Sequence, residues 1–439
     1  MDLTTPLRDV PIARLGEPTV PSPLRLVHGH GHGLCVFVPE QARVRNSGEV
    51  KLGAPAAEEL VFEKAGPRER LWFDPARSRA AVVTCGGLCP GLNDVVRSLF
   101  LELHYNYRVP ELLGIRYGYQ GLNPAVGLPP IVVTRECVAN IHNEGGTFLG
   151  SSRGEQDVGV MVDTLAHLDV QMLFCVGGDG TQRGAHALVQ EIKRRGLNIA
   201  VVGIPKTIDN DILFCDRTFG LVTAVEKASE VLHLAHIEAK GAPRCIGLVK
   251  VMGRHAGFIA CLATMACQDV NFCLIPELPF KLDGPDGFLA ALGRRMDARG
   301  HAVVCVAEGA GQSLFEGAET HRDASGNVKL HDIGLLLKER IAAWFKGHKR
   351  PVDIKYIDPS YIIRSAPANT DDSLLCDQLA RHAAHAALAG KSDVLMCFKN
   401  GKFIHVPIPM AVAHKQQVDI EGPLWSSVLA STGQAVRFG

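Results

Sequence analysis

The chain has 439 residues, 46 % apolar and 21 % charged, with 46 basic side chains against 46 acidic ones. Such a balance sets up no overall field for nucleic acid or an anionic membrane, so an anionic ligand has to be held by local groups. Apolar runs such as AAVVTC stop after about six residues, far short of the roughly 20 a membrane helix needs, and the length exceeds one ordinary core, which predicts two domains plus extensions.

Residues 1–75 are rich in Pro, Gly and charge and predict an extension packed on, or tethered to, the main body. Its first twenty residues lack an apolar segment and carry Asp2, Asp9 and Glu17, which argues against a targeting role. The HGHGHG stretch, His28 to Gly33, invites a metal reading; lone histidines between flexible glycines have no preorganised geometry, however, and predict a surface loop. The thirteen cysteines are scattered without a CxxC pair and read as reduced core residues of a cytosolic protein.

From Ala80 the pattern is regular. The spacing predicts strands at 80–84, 112–116, 171–176, 199–204, 245–251, 272–275, 302–307 and 393–398. Helices are predicted through Phe100, near 135–143, and at 181–195, 221–239, 254–266, 286–299, 333–345 and 371–389. Strands alternating with helices predict parallel sheets covered on both faces, and their number predicts two doubly wound α/β domains with the active site in a cleft between them.

Ligands of open α/β sheets sit beyond the carboxyl ends of the strands. There the sequence places CGGLCPGLND, Cys85 to Asp94, whose glycines admit backbone N–H groups to an anion at a helix N-terminus. It fits neither the P-loop nor the dinucleotide pattern. GGDGT at 177–181 adds Asp179, readable as a metal ligand or as a helix cap. PKTIDND, 205–211, puts Lys206, Asp209 and Asp211 after an apolar strand, where uncompensated like charges are costly; a divalent metal or a proton-transfer role supplies compensation. Mg²⁺ takes one or two carboxylates together with waters and phosphate oxygens, which suits three strand-end aspartates. Arg153 and Arg254 stand beside glycines as candidate phosphate cations, and Glu308 is either an acceptor for sugar hydroxyls or a cap. From the residues alone the reading is Mg²⁺-assisted phosphoryl transfer to a hydroxyl of a small anionic acceptor.

CGGLCPGLND, GIRYGYQGL, GGTFLGSSR, GGDGTQRGA, PKTIDND, VMGRHAGF, AEGAG and KYIDPSYIIRS together resemble the 6-phosphofructokinases in order and spacing, from about residue 66 to 410. GPRERLWFDP and the long extension resemble the plant-type ATP-dependent branch. The resemblance implies transfer of the ATP γ-phosphoryl group to O1 of fructose 6-phosphate in glycolysis. It implies an allosteric homodimer or homotetramer in the cytoplasm, with no nucleic-acid or membrane partner. It implies a larger nucleotide-binding domain at 76–220 and 363–412, and a smaller sugar-phosphate domain at 221–362 and 413–439. Asp209 then matches the general base in a catalytic set with Thr207, Arg153 and Arg254, with Arg153 and the Gly87 backbone facing the transferring phosphoryl, and Asp179 and Asp211 match the Mg²⁺ ligands. Gly87, Tyr119, Arg153, Gly180, Thr181 and Gly184 match the nucleotide site. Thr207, Met252, Gly253, Arg254 and Glu308 match the sugar site, with Tyr361 and Arg364 at the 6-phosphate. Arg244 and Lys355 match residues reaching in from a neighbouring subunit.

Lys206, Tyr361 and Lys355 stand where shorter bacterial members carry glycine, histidine and arginine. A lysine at 206 is also typical of pyrophosphate-dependent members, which makes a pyrophosphate-dependent phosphotransferase one alternative; a non-catalytic sugar-phosphate-sensing subunit is another. Gly180 favours ATP, because pyrophosphate enzymes carry a second aspartate there, which would crowd and repel the nucleotide α-phosphate.

Overall fold

The computed structural model describes residues 6–24, 36–49, 58–315 and 329–439; the His28–Gly33 stretch lies outside the described residues. The chain divides into two compact units, one of Met1–Thr207, Ile212–Gly220 and Ala366–His414, the other of Ile208–Asp211, Leu221–Ser365 and Lys415–Gly439. Residues 208–211 and 363–365, grouped with the first domain on the sequence boundaries, belong to the second unit, and 413–414, grouped with the second, belong to the first.

The first unit is built on a seven-stranded sheet in the order Lys402–Pro407, Val394–Lys399, Ala200–Pro205, Met172–Gly177, Arg79–Thr84, Glu111–Ile115, Ile131–Val132. The five inner strands are parallel and the two edges antiparallel. Every residue of Met172–Gly177 and Ala200–Pro205 is buried, as expected of strands covered on both faces. From Arg79–Thr84 the chain builds outward on one side and then returns to place Met172–Gly177 on the other. The strand order therefore reverses between these two neighbours, and the loops leaving their carboxyl ends stand at the switch point where such sheets bind ligands.

The edge strand Lys402–Pro407 escapes a reading based on alternation with helices, because it returns through a two-residue hairpin. Asn400 and Gly401 both take left-handed φ, 48° and 71°, as a tight hairpin requires. The described part of residues 6–75 is integrated rather than tethered. Leu7–Asp9, Glu59–Glu63 and Arg43–Arg45 form a three-stranded sheet, and Ala65 N–H donates to the Phe403 carbonyl at 2.8 Å. Beneath it Glu63, 2 % exposed, accepts from Arg68 at 2.9 Å, Arg14 at 3.0 Å and Lys391, and pairs with His405 at 3.0 Å.

The second unit has a fully parallel four-stranded sheet, Phe272–Leu274, His301–Ala307, Cys245–Val251 and Asp353–Ile357. Helices Leu221–Gly241 and Phe258–Cys267 pack on each other and on it. The helix expected from residue 254 begins at Phe258, because Gly253 takes φ 128° and leaves Arg254 in a loop. The helix expected near 135–143 is broken into Arg135–Val138 and a 3₁₀ turn at Ile141–Asn143, and helix Val158–His167 has no counterpart in the periodicity. All the described cysteines are free thiols, most of them buried. No helix among the described residues is long and apolar enough to cross a membrane.

Candidate active site

In the first unit two strand-end loops and the Ser151–Arg153 segment are fastened to one another. After Arg79–Thr84 the chain turns through Gly86, at φ 87°, whose N–H donates to the Ser152 carbonyl at 3.2 Å; Ser151 Oγ returns a bond to the Gly86 carbonyl at 2.6 Å. Arg153 is thereby held beside Gly87, where a Cβ would lie 3.3 Å from the guanidinium. Lys206, leaving the Ala200–Pro205 strand and 7 % exposed, donates from Nζ to the Gly87 carbonyl at 2.8 Å. An ammonium and a guanidinium thus flank a glycine loop whose backbone is open to an anion.

The loop after Met172–Gly177 enters helix Asp179–Arg194 directly. Gly178 is the N-cap and makes no side-chain cap bond, while Asp179 lies in the first helical turn, 3.4 Å from Arg183. The cap reading of Asp179 is therefore set aside: the carboxylate is one residue inside the helix. Gly180 meets nothing within 4 Å in the direction a Cβ would take. Gly184 is required by packing, since a Cβ there would come within 2.6 Å of the Tyr119 ring, whose hydroxyl donates to the Thr181 carbonyl at 2.7 Å.

Gln182 has no charge and no motif spacing to announce it, and sequence reasoning passes over it. Fully buried, its Nε2 donates to the carbonyls of Cys175, Gly177 and Ile204 at 3.2, 2.9 and 3.3 Å, closing backbone acceptors at the ends of two strands. Gly203 makes room for it, as a Cβ would lie 2.1 Å from its Oε1.

In the second unit Asp209 accepts from the Arg254 backbone N–H through Oδ2 at 3.2 Å. Burial first, then the charges of Asp211 and Glu308, push its pKa up to about 7. Next to it Asn210 takes left-handed φ 56° and its carbonyl accepts from Gln416 Nε2 at 3.1 Å. Asp211 is held by Lys415 Nζ at 2.5 Å. The charge compensation that the sequence assigned to a metal or a proton is thus met at Asp211 by an ammonium 204 positions further along the chain. Met252, Gly253 and Arg254 form the loop at the carboxyl end of Cys245–Val251, and Gly309 N–H donates to the Gly253 carbonyl at 3.0 Å. Gly309 permits this approach: a Cβ would lie 1.9 Å from the Arg254 carbonyl oxygen. Burial raises the Glu308 carboxyl, with Arg254 opposing.

Tyr361 and Arg364 lie three apart on helix Ser360–Ser365, with the guanidinium 4.7 Å over the phenol ring and Tyr361 74 % exposed. Arg244 and Lys355 are not brought to Arg254. Arg244 immediately precedes the seven-residue strand Cys245–Val251 and Lys355 pairs in register with Gly247 near the same amino end, whereas Arg254 follows the carboxyl end. At about 3.3 Å per strand residue, roughly 20 Å of strand separates Arg244 from that carboxyl end, and roughly 13 Å separates that end from the level of Lys355.

A phosphofructokinase family model matches residues 79–387. The chain is 49 % identical over 385 residues to an ATP-dependent 6-phosphofructokinase of Borreliella burgdorferi, covering 86 % of each chain. It is 45 % identical over 447 residues to the ATP-dependent 6-phosphofructokinase of Amycolatopsis methanolica, covering 100 % of this chain and 97 % of that one. Among solved structures it resembles a pyrophosphate-dependent phosphofructokinase of Marinobacter aquaeolei, at TM-score 0.67 and 19 % identity over 82 % of this chain and 93 % of that chain, a likeness of fold. With the family model spanning more than half of its length, and with relatives at these identities, the chain belongs to the phosphofructokinase family.

Proposed function

We propose that the chain is a Mg²⁺-dependent kinase that transfers the γ-phosphoryl group of ATP to O1 of fructose 6-phosphate, giving fructose 1,6-bisphosphate. The observation that carries the reading is the Asp209 carboxylate, fixed by the Arg254 N–H and raised to about 7, where a general base is most effective. Asp209 takes the O1 proton as the oxygen attacks the γ-phosphorus; the bond from that phosphorus to the β-bridging oxygen breaks, and ADP leaves with the electron pair. Arg153, Lys206 and the Gly87 N–H face the charge that develops on the phosphoryl oxygens. Thr207, Met252, Gly253, Arg254 and Glu308 orient the sugar, with Tyr361 and Arg364 on its 6-phosphate. Tyr119, Gly180, Thr181 and Gly184 line the nucleotide.

Asp179 fits a Mg²⁺ ligand, being a hard-oxygen donor in the first turn of a helix at the sheet's switch point; Asp211 fits once Lys415 yields. When bound, the ion neutralises phosphate charge. The buried free thiols suit a reducing compartment, so we place the enzyme in the cytoplasm.

The donor is tested by assaying the purified protein with fructose 6-phosphate, Mg²⁺ and either ATP or pyrophosphate. ATP supports turnover, and Gly180→Asp removes most of it by charge and crowding against the nucleotide, since a Cβ at that position meets no neighbouring atom of the fold within 4 Å. Equal or better turnover of the unmodified chain with pyrophosphate sinks the reading.

The placement of Arg244 ahead of its strand, and of Lys355 partway along the neighbouring one, away from Arg254, supports a site completed by a second copy of the chain, in a dimer or tetramer. Hybrids assembled from Asp209→Ser and Lys355→Ala chains recover activity if Lys355 serves its neighbour. They stay inactive if it serves its own chain.

A further inference from the structure

Among the described residues one group of potential metal donors closes on itself, and phosphoryl transfer makes no use of it. His233 projects from helix Leu221–Gly241, Cys267 ends helix Phe258–Cys267, and Asp269 follows in the next turn; one donor atom of each lies within 4.8 Å of the other two. His233 Nδ1 is 3.1 Å and Cys267 Sγ 3.7 Å from the same oxygen, Asp269 Oδ2. A zinc ion bound at about 2.0–2.3 Å separates tetrahedral ligands by roughly 3.3 to 3.6 Å, so both spacings are close to the edges of one coordination tetrahedron.

A fourth residue points to a ligand independently. His236, one helical turn from His233, has a buried Nδ1 with no hydrogen-bond partner, and that nitrogen faces the other carboxylate oxygen, Asp269 Oδ1, at 3.5 Å. It is placed to orient the carboxylate from behind, as outer partners of metal ligands do. Hydrogen bonding alone gives His233 and the Cys267 thiol the same acceptor oxygen; a cation among the three would replace both contacts and use all three donors at once.

We propose that His233, Cys267 and Asp269 bind a zinc-class divalent cation, with His236 as positioning residue. One thiolate and one imidazole select a softer ion than Mg²⁺. On binding, the Cys267 S–H bond breaks, its proton goes to solvent and the thiolate forms the metal–sulfur bond. Water takes the fourth position, on the side where His233 is 60 % exposed. The ion ties the helix that follows the Met252–Arg254 loop to the neighbouring Leu221–Gly241 helix, and so raises the thermal midpoint.

The test uses the full chain, stripped by chelator and kept in excess Mg²⁺, titrated with Zn²⁺ and separately with Co²⁺. One tightly bound ion is expected, with a thiolate-to-cobalt charge-transfer band in the near ultraviolet. Cys267→Ser removes the band and Asp269→Asn weakens it, whereas replacing His28, His30 and His32 together by alanine changes neither. His236→Ala lowers zinc affinity roughly 10- to 100-fold while the band persists, and His236→Gln restores part of the loss. Absence of the band, its survival in Cys267→Ser, or loss of zinc binding only in the triple histidine variant overturns the proposal. Should Cys267→Ser fail to fold, the Asp269→Asn and His236→Ala titrations decide.

Discussion

Two clusters of charge in this molecule look alike as lists of residues and behave oppositely. Around Glu63 one buried carboxylate meets Arg14, Arg68, Lys391 and His405. Burial alone would raise its pKa, yet His405 and Lys391 drag it far below the usual carboxylate range. Around Asp209 carboxylates predominate, and burial together with Asp211 and Glu308 moves the pKa the other way, to about 7. The first arrangement locks a charge and the second keeps a proton exchangeable. Burial is common to both, so the direction of the shift separates an internal strut from the group proposed as the base.

The contrast is sharpest in substitutions that exchange the two consequences. Asp209→Ser lowers kcat by about 10²- to 10⁴-fold. Without Mg²⁺ and substrate it costs no thermal stability near pH 8: a carboxyl whose folded pKa is raised destabilises the folded state above that pKa. A variant keeping a tenth of the rate removes Asp209 from the base role. Glu63→Gln does the reverse. It strands buried cations, so denaturant melts show a loss of about 3–5 kcal/mol while kcat per folded molecule stays put; a loss below about 1 kcal/mol would mean the cluster relaxes freely.

A smaller effect follows from the histidines beside Glu63. Burial lowers His405 to about 4 and His382 to about 3. Below their ordinary value near 6.5 the unfolded chain takes up protons that the folded chain refuses. Stability is therefore full above pH 6.5 and is lost as pH falls toward 4, by about 1.4 kcal/mol per pH unit for each histidine. His382→Phe keeps the stacking on Phe403, 4.5 Å between ring centroids, and should flatten that slope by one such share. An unchanged slope in pH-dependent melts would show that His382 is already protonated in the fold.

What was legible in the sequence is what is local. The apolar runs ending in glycine and aspartate mark the strand ends, because a fully buried strand and its ligand loop are contiguous in the chain; Asp179, Lys206, Asp209 and Arg254 are found that way. Lys415 and Gln416 act on Asp211 and Asn210 from some 200 positions away, and Gln182 works by reaching carbonyls of other strands, so no local pattern encodes them. The Asn400–Gly401 turn had a local signal, the Asn-Gly dipeptide of a tight hairpin, obscured by the regular strand and helix alternation around it. Grouping 208–211 with the second unit was hidden for the same reason as Lys415: their contacts are made with segments far along the chain.

The empty direction at Gly180 has a consequence in inheritance. Codons for glycine and aspartate lie one base apart, and here the new Cβ meets no neighbouring atom within 4 Å, while Gln182 and Gly203 keep the frame beneath it in place. If Gly180 selects the donor as proposed, a lineage carrying this scaffold can change its phosphate compound without first rebuilding its core, and the choice of donor can drift on a timescale much shorter than that of the fold.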